Sequence, residues 1–186
     1  MPNDSIRKDI LIGPVRFSYP NLFKARLNQL SGKAEFSVVV LIEKGEGGAA
    51  TLQTVKDAIK EIATKAELRK GSRNPLKDGD EDDGPHPGYW YFNAKCNEDY
   101  PPLVVDGARN PVDAKAGWTG GDWGNVKVTL YAYNKGGNSG VGVSLRGVQF
   151  TRKGEPFGNG GTRPDEFPQS AAVAGTGGSY DPFEDE

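Results

Sequence analysis

The chain has 186 residues, 35% of them hydrophobic, with 26 glycines, 13 prolines, one cysteine and a net charge of −2. This length suits one domain with a core, and the low apolar content indicates that part of the chain lies outside that core. The single cysteine, Cys96, excludes an internal disulfide and a cysteine-based zinc cluster. No apolar run resembles a signal region or could cross a bilayer, so we expect a cytoplasmic protein.

The first part of the chain predicts two strands. Residues before Asp9 are polar, and we expect them to form a loose arm. Residues 10–19 alternate as a strand, and Pro20-Asn21 then predicts a turn. Residues 34–42 are rich in β-branched side chains and nearly all apolar, which predicts a strand that is buried on both faces.

One helix and a third strand follow. Apolar residues recur at three- and four-residue steps between Leu52 and Ala66, which predicts an amphipathic helix over residues 49–70 that ends at Gly71. Residues 89–96 alternate again. We assign Trp90, Phe92 and Ala94 to the core, and the other face then carries Tyr89, Tyr91, Asn93 and Lys95.

A β-hairpin over residues 123–150 carries the strongest pattern of the chain. Alternation from Val126 to Tyr133 places four apolar residues on one face and Lys127, Thr129, Tyr131 and Tyr133 on the other. A turn rich in Gly and Asn leads to a second strand, in which Ser144 and Arg146 point away from the core and Gly147 marks a bulge. Flat rings beside cations suit stacked bases and a phosphate chain. The alternative is that Tyr and Thr are simply common on half-exposed strands.

These elements predict a mainly β fold, an OB-like Greek-key barrel with one α-helix, over residues 1–157. In the usual OB fold the helix follows the third strand. Residues 24–32 could therefore contain a turn and one further strand. Residues 103–105 form a short strand at most. Residues 158–186 lack periodicity and are rich in Gly, Ser, Thr and Pro, so we expect a disordered acidic C-terminal tail.

The charge is divided unevenly between these two parts. All 23 Lys and Arg lie at or before Arg163, whereas six of the 25 acidic residues follow it, which leaves +4 on the part up to Arg163. Five more acids lie within residues 78–83, and without them that part carries +9. A basic body with an acidic tail is typical of proteins that meet a polyanion.

Three stretches resemble a known family. They are FSYPNLF (17–23), YFNAK (91–95) with VVDG (104–107), and YAYNKGGNSGVGVSLRGVQFTRKGEPFG (131–158). They are similar to a family of tailed-bacteriophage proteins, once catalogued as a domain of unknown function, that are regarded as OB-fold single-stranded DNA-binding proteins. The resemblance implies sequence-tolerant binding of single-stranded DNA in support of phage DNA replication, recombination and repair.

The acidic tail also looks like the C-terminal tails of bacterial and phage single-strand binders. In the bacterial proteins an aromatic residue closes the tail, whereas here three acids follow Phe183. Replication or recombination proteins are the partners that this similarity implies. The tail residues that would bind them are Tyr180, Asp181, Phe183, Glu184, Asp185 and Glu186.

The predicted DNA interface contains cations for phosphates and rings for bases. The cations are Arg16, Lys95, Lys127, Arg146, Arg152 and Lys153, and the rings are Tyr91, Tyr131 and Tyr133. We expect no cofactor, no metal and no catalytic residue. Whether the protein forms a homo-oligomer is left open by the sequence.

The sequence also allows two rival functions. The loop DGDEDDG (78–84) could hold a metal in a phage nuclease through Asp78, Asp80 and Asp82, although Asp83 stands where an EF-hand needs glycine. A solvated loop is the favoured interpretation. His86 lies between two prolines, and Cys96 has no histidine near it in sequence, so neither predicts catalysis. The second rival is a structural phage protein whose barrel serves only assembly.

Overall fold

The computed structural model describes residues 6–81 and 86–157. The predicted tail and Asp82 and Asp83 of the acidic loop lie outside these residues. The elements are β1 (Arg7–Asn28), β2 (Lys33–Glu43), α1 (Glu46–Lys65), β3 (Lys77–Asp78), β4 (Tyr89–Asn97), β5 (Leu103–Val105), β6 (Trp123–Lys135) and β7 (Asn138–Arg152), with one 3-10 turn at Ala114–Ala116. Within this part of the chain no helix has the length and apolarity that crossing a membrane requires.

The strands form one sheet in the order β3-β4-β2-β1-β6-β7-β5. A further parallel pairing of β4 with β7, at Lys95 and Ser144, closes β1, β2, β4, β6 and β7 into a barrel. The predicted OB-like barrel with one α-helix is therefore confirmed. The helix follows the second barrel strand, not the third, because residues 24–32 contain the end of β1 and a turn but no further strand.

Two predictions about β1 were wrong. The strand begins at Arg7, because Arg7 and Lys8 pair with Tyr131 and Leu130 of β6, so no loose arm extends to Asp9. Pro20-Asn21 does not turn the chain either. The register against β2 shifts between Ser18 and Asn21, so the strand absorbs this dipeptide as an irregularity and continues to Asn28. One long strand therefore pairs with β6 through its first half and with β2 through its second.

The helix starts three residues before the predicted start at residue 49. It ends five residues before the predicted end at residue 70. Gly48 allows the first turn to pack on β2, because a Cβ there would lie 2.0 Å from the carbonyl oxygen of Glu43. Glu67 adopts a φ of 49°, a left-handed conformation that ends the helix before Gly71. Val55, Ala58 and Ile62 are the buried apolar side chains through which α1 packs on the barrel.

The barrel interior holds the apolar faces of its five strands. Val126, Val128, Leu130 and Ala132 are buried, as predicted, and so are Phe92 and Ala94 of β4. Trp90 is half-buried against this core. Phe17 meets Phe150 edge to face, with ring centroids 5.2 Å apart. The alternation that fills the core directs the polar set of β4, β6 and β7 to the opposite face of each strand.

Replacing Phe92 by Ala should lower the free energy of unfolding by about 3–5 kcal/mol, because its ring is 2% exposed and leaves a cavity. Urea denaturation measures this loss. Tyr100, which is 70% exposed, is the matched control, and Tyr100→Ala should change stability by about 0.5 kcal/mol or less. Similar small losses in both variants would contradict the assignment of Phe92 to the core.

Candidate nucleic-acid interface

A groove of about 350 Å³ lies on the outer surface where β4 meets β7. We call it the central groove. Strands β1, β2, β4, β6 and β7 all contribute to it, so it forms only when the barrel is closed. Its lining residues are Arg7, Lys33, Glu35, Lys95, Cys96, Asn97, Thr129, Tyr131, Ser144 and Arg146.

The central groove has an excess of positive charge. Four of its lining residues are cations, namely Arg7, Lys33, Lys95 and Arg146, and Glu35 is the one carboxylate among these lining residues. Lys95 lies 3.6 Å from Glu35, so the carboxylate offsets part of the charge of one cation. The groove therefore favours an anionic ligand with several charges spaced along it.

Arg146 owes its orientation to a β-bulge. Lys127 pairs with Gly147 and Val128 pairs with Leu145, which leaves Arg146 as the extra residue of β7. Its Nε donates a hydrogen bond of 2.9 Å to the hydroxyl of Thr129, and that hydroxyl donates one of 2.5 Å to Asp9. Because Thr129 is only 3% exposed, this chain of bonds holds the guanidinium firmly at the groove.

Tyr131 and Tyr133 lie across glycines of the neighbouring strand. Tyr131 pairs with Gly142, where a Cβ would lie 2.3 Å from the Cζ of the ring. Tyr133 pairs with Gly140, where a Cβ would lie 2.9 Å from its hydroxyl. The missing side chains let both rings lie close against β7. Burial raises the pKa of Tyr131, because the charged form of the hydroxyl is poorly solvated there.

A second groove, of about 410 Å³, adjoins the central groove on the side of the β1–β2 hairpin. We call it the hairpin groove. It shares Glu35 and Lys95 with the central groove. Its full lining is Asn21, Arg26, Leu27, Asn28, Glu35, Ser37, Asn93 and Lys95.

On the opposite side lies a smaller apolar depression of about 190 Å³. It shares Arg146 with the central groove, and Lys127 stands at its edge. Its aliphatic lining comes from Leu11, Leu103, Val105 and Val148. The hairpin groove, the central groove and the apolar depression thus form one path across the outer face of the barrel.

Five of the nine predicted interface residues line grooves on this face or next to it. Lys95, Tyr131 and Arg146 meet in the central groove, and Lys127 lines the apolar depression. Tyr133 lines a separate groove of about 620 Å³ between the end of α1 and the β6–β7 hairpin. The alternation of β4, β6 and β7 was sufficient to find these residues.

Arg16 has partners within the protein instead. Its Nε donates to the carbonyl oxygen of Gly121 at 2.8 Å, and its terminal nitrogens donate to Tyr89 and to the carbonyl of Glu155. The guanidinium also lies 4.0 Å from the ring centroid of Phe157. These contacts fasten residues 153–157 onto the barrel.

Lys153 belongs to this fastened segment, and Arg152 and Tyr91 lie near it. Arg152 lies over the Trp123 ring at 4.5 Å, and Lys153 pairs with the buried Asp122 at 3.1 Å. Tyr91 packs edge to face against His86, with centroids 5.3 Å apart. None of the three lines the central groove, the hairpin groove or the apolar depression.

Three cations of the grooves were not found from the sequence. Arg7 fell within the predicted polar arm, Lys33 stands at the first position of β2, and Arg26 belongs to the continuation of β1 beyond Pro20. Their positions depend on strand pairing, since Arg26 lies opposite Glu35 and Lys33 opposite Asn28. Extending the alternation of β1 past Pro20 would have been the one signal for Arg26.

The acidic loop binds a cation of the protein itself. Lys44 forms ion pairs with Asp78 and, at 2.6 Å, with Asp80, and these hydrogen bonds lower the pKa of both carboxyl groups. Within residues 6–81 and 86–157 no group of three or more His, Cys, Asp or Glu could hold a metal ion. Burial lowers the pKa of His86, whose Nδ1 has no hydrogen-bond partner in this part of the chain.

Comparison with solved structures shows the same fold. The single-stranded DNA-binding protein of bacteriophage Enc34 in complex with ssDNA superimposes with a TM-score of 0.68 at 22% identity, covering 81% of this chain and 89% of that one. Gp2.5, a single-stranded DNA-binding protein encoded by bacteriophage T7, gives a TM-score of 0.57 at 17% identity over 91% of this chain and 100% of its own.

Sequence comparison places the chain among phage proteins. Putative protein p50 of Acyrthosiphon pisum secondary endosymbiont phage 1 is 32% identical over 167 residues, which covers 82% of this chain and 88% of the relative. A family model described as "Enterobacter phage Enc34, ssDNA-binding protein" matches residues 8–175. The chain therefore belongs to the Enc34 phage ssDNA-binding protein family.

Proposed function

We propose that this protein binds single-stranded DNA with little regard to sequence and catalyses no reaction. The observation that carries the proposal is the central groove, which four cations and the ring of Tyr131 line in a member of this family. Cations neutralise phosphates whatever the bases are, and an aromatic face stacks with any base. A groove of this composition suits an unpaired strand.

The DNA path follows the three adjoining depressions. Phosphates contact Lys95 and Arg146 in the central groove and Lys127 beside the apolar depression, while a base stacks on Tyr131. Tyr133, two residues further along the same face of β6, extends the path toward the end of α1. We assign Arg16, Tyr91, Arg152 and Lys153 to holding the segment 153–157 and its surroundings, because their partners lie there.

The family also supports a biological role. A phage whose DNA is copied and recombined in the host cytoplasm exposes single strands, and a sequence-tolerant binder would cover them. The match to the Enc34 family model and the fold shared with gp2.5 of phage T7 support this role in replication, recombination and repair. Cytoplasmic action in the host follows from it.

The acidic C-terminal residues are the proposed second functional element. Phe157 of the segment 153–157 packs against His86, and His86 contacts Tyr91. Asn93, two residues beyond Tyr91, lines the hairpin groove. The proposal for residues 158–186 is that their acids compete with DNA phosphates for the cations of the grooves. We propose that bound DNA displaces them and frees Tyr180 to Glu186 for a replication or recombination partner.

Labelled oligonucleotides, tested with and without magnesium, separate this function from its rivals. Tight binding of single strands without cleavage supports the proposal, and cleavage that requires magnesium would favour the nuclease. The nuclease has less support, because Asp78 and Asp80 are engaged by Lys44. Absence of any binding would favour a structural phage protein.

Arg146→Ala should flatten the dependence of DNA affinity on salt. With roughly three to six phosphate contacts, the wild-type slope of log affinity against log salt should be roughly −2 to −4, since each contact contributes about −0.7. Losing one contact should reduce the slope by about 0.7. The exposed Lys60 of α1 is the control, and Lys60→Ala should leave the slope unchanged. Equal slopes in all three proteins would contradict the path through Arg146.

Tyr131→Ala should weaken binding of single-stranded DNA by about 1–3 kcal/mol, because a stacking ring is lost. Fluorescence anisotropy with a labelled oligonucleotide measures the change. Tyr131→Phe retains the ring and should bind nearly as wild type, while Tyr100→Ala controls for removal of an exposed tyrosine. Normal binding by a folded Tyr131→Ala variant would show that the bases lie on another face.

Deleting residues 175–186 should tighten DNA binding at low salt and leave the fold unchanged. A tethered segment competes at an effective concentration on the order of millimolar, and salt should remove the advantage by screening. A variant with the acids of this segment changed to Asn and Gln is the matched control, and it should behave like the deletion. Unchanged or weaker affinity of the truncated protein at low salt would disprove competition by the tail.

A further inference from the structure

Glu35 is an unexpected residue in the proposed DNA path. It lies on β2 and lines both the central groove and the hairpin groove. Among the described residues that line these two grooves it is the one carboxylate, and its neighbours there include five cations, namely Arg7, Arg26, Lys33, Lys95 and Arg146. A negative charge at this point weakens the attraction of a polyanion, so its presence calls for a chemical reason.

The contacts of Glu35 leave acceptor capacity toward the groove. Its Oε2 accepts a hydrogen bond of 2.9 Å from the amide of Asn28. Its Oε1 lies 3.6 Å from the ammonium of Lys95, which is longer than a charge-assisted hydrogen bond of about 2.7–2.9 Å. The side chain is 18% exposed, so it is held in place and still reaches the groove. Each carboxylate oxygen has two lone pairs and cannot donate.

A strand in this groove has to place a base, not a phosphate, beside Glu35. Phosphate and carboxylate repel each other. Phosphates can instead bind Lys95 on β4 and Arg146 on β7, the two strands that close the barrel. The edges of the bases differ in what they offer to an acceptor. Cytosine and adenine present an amino group, as guanine also does, while thymine presents two carbonyl oxygens that flank its single N–H.

We propose that Glu35 gives this groove a preference for bases that carry an amino group over thymine. The inference rests on the proposed function, since it assumes that single-stranded DNA occupies the central groove. A cytosine amino group donates to Oε1, while the carbonyl oxygens of thymine face the same carboxylate at a cost. Glu35 is therefore a specificity-determining residue within an interface that otherwise tolerates any sequence.

Oligo(dC) and oligo(dT) of equal length provide the test, because both are pyrimidines and present similar ring area for stacking. The wild-type protein should bind oligo(dC) roughly three- to tenfold more tightly than oligo(dT), measured by competition at slightly alkaline pH. Glu35→Gln replaces the acceptor by an amide that both donates and accepts. In this variant the affinity ratio should approach one, while affinity for both oligonucleotides rises.

Two controls separate base recognition from charge. Glu98→Gln also removes one negative charge, next to Asn97 of the central groove. In this variant the ratio of oligo(dC) to oligo(dT) affinity should stay at its wild-type value. An oligonucleotide of N4,N4-dimethyldeoxycytidine lacks the amino hydrogens and should lose the preference in the wild-type protein without any mutation.

The outcomes are distinct. If Glu35→Gln binds both oligonucleotides more tightly but keeps the wild-type ratio, Glu35 acts only through its charge and the inference is overturned while the proposed function stands. The same conclusion follows if the wild-type protein binds oligo(dC), oligo(dT) and the dimethylated oligonucleotide equally. If the wild-type protein binds none of them, the proposed function fails, and the inference fails with it.

Discussion

The parallel pairing of Lys95 with Ser144 is the contact on which the interface depends. It joins β4 to β7, strands that lie far apart in the sequence, and turns a twisted sheet into a closed barrel. Closure joins the edges of β4 and β7 at this pair, while β3 and β5 pair with other parts of these edges, and the apolar faces are buried together. It also places Lys95 beside Arg146 and Tyr131, which would otherwise lie on distant parts of an open sheet. The same bonds thus complete the core and create the groove.

Small irregularities then shape the groove that closure creates. The bulge at Arg146 leaves this residue unpaired, and Thr129 and Asp9 fix its guanidinium. Gly142 has no side chain, so the ring of Tyr131 lies against the strand instead of projecting from it. A larger residue at position 142 would favour a regular β-strand more than glycine does, but its side chain would displace the ring of Tyr131. The irregular positions of β7 are therefore those that the proposed DNA contacts require.

The sequence predicted the faces of the strands better than their pairing. Alternation identifies which side of β4 and β6 is buried, since side chains have a period of two, and this was enough to place Lys95 and Tyr131 on the face that carries the central groove. Pairing depends on contacts distant in sequence, so Lys33 and Arg26 were missed. The turn predicted at Pro20-Asn21 was wrong, because the hydrogen bonds of a 22-residue strand outweigh the preference of one dipeptide for a turn. The partners of Arg16 are distant in sequence and gave no local signal.

We propose that single-stranded DNA crosses the outer face of the barrel at its closure. Photo-cross-linking of an oligonucleotide containing 5-bromodeoxyuridine, followed by mass spectrometry, maps the contacted side chains directly. The account predicts adducts on Tyr131 and on peptides from β4 and β7 that line the central groove. Adducts confined to the aromatic residues around Phe157 and Tyr89, with none in the central groove, would contradict it.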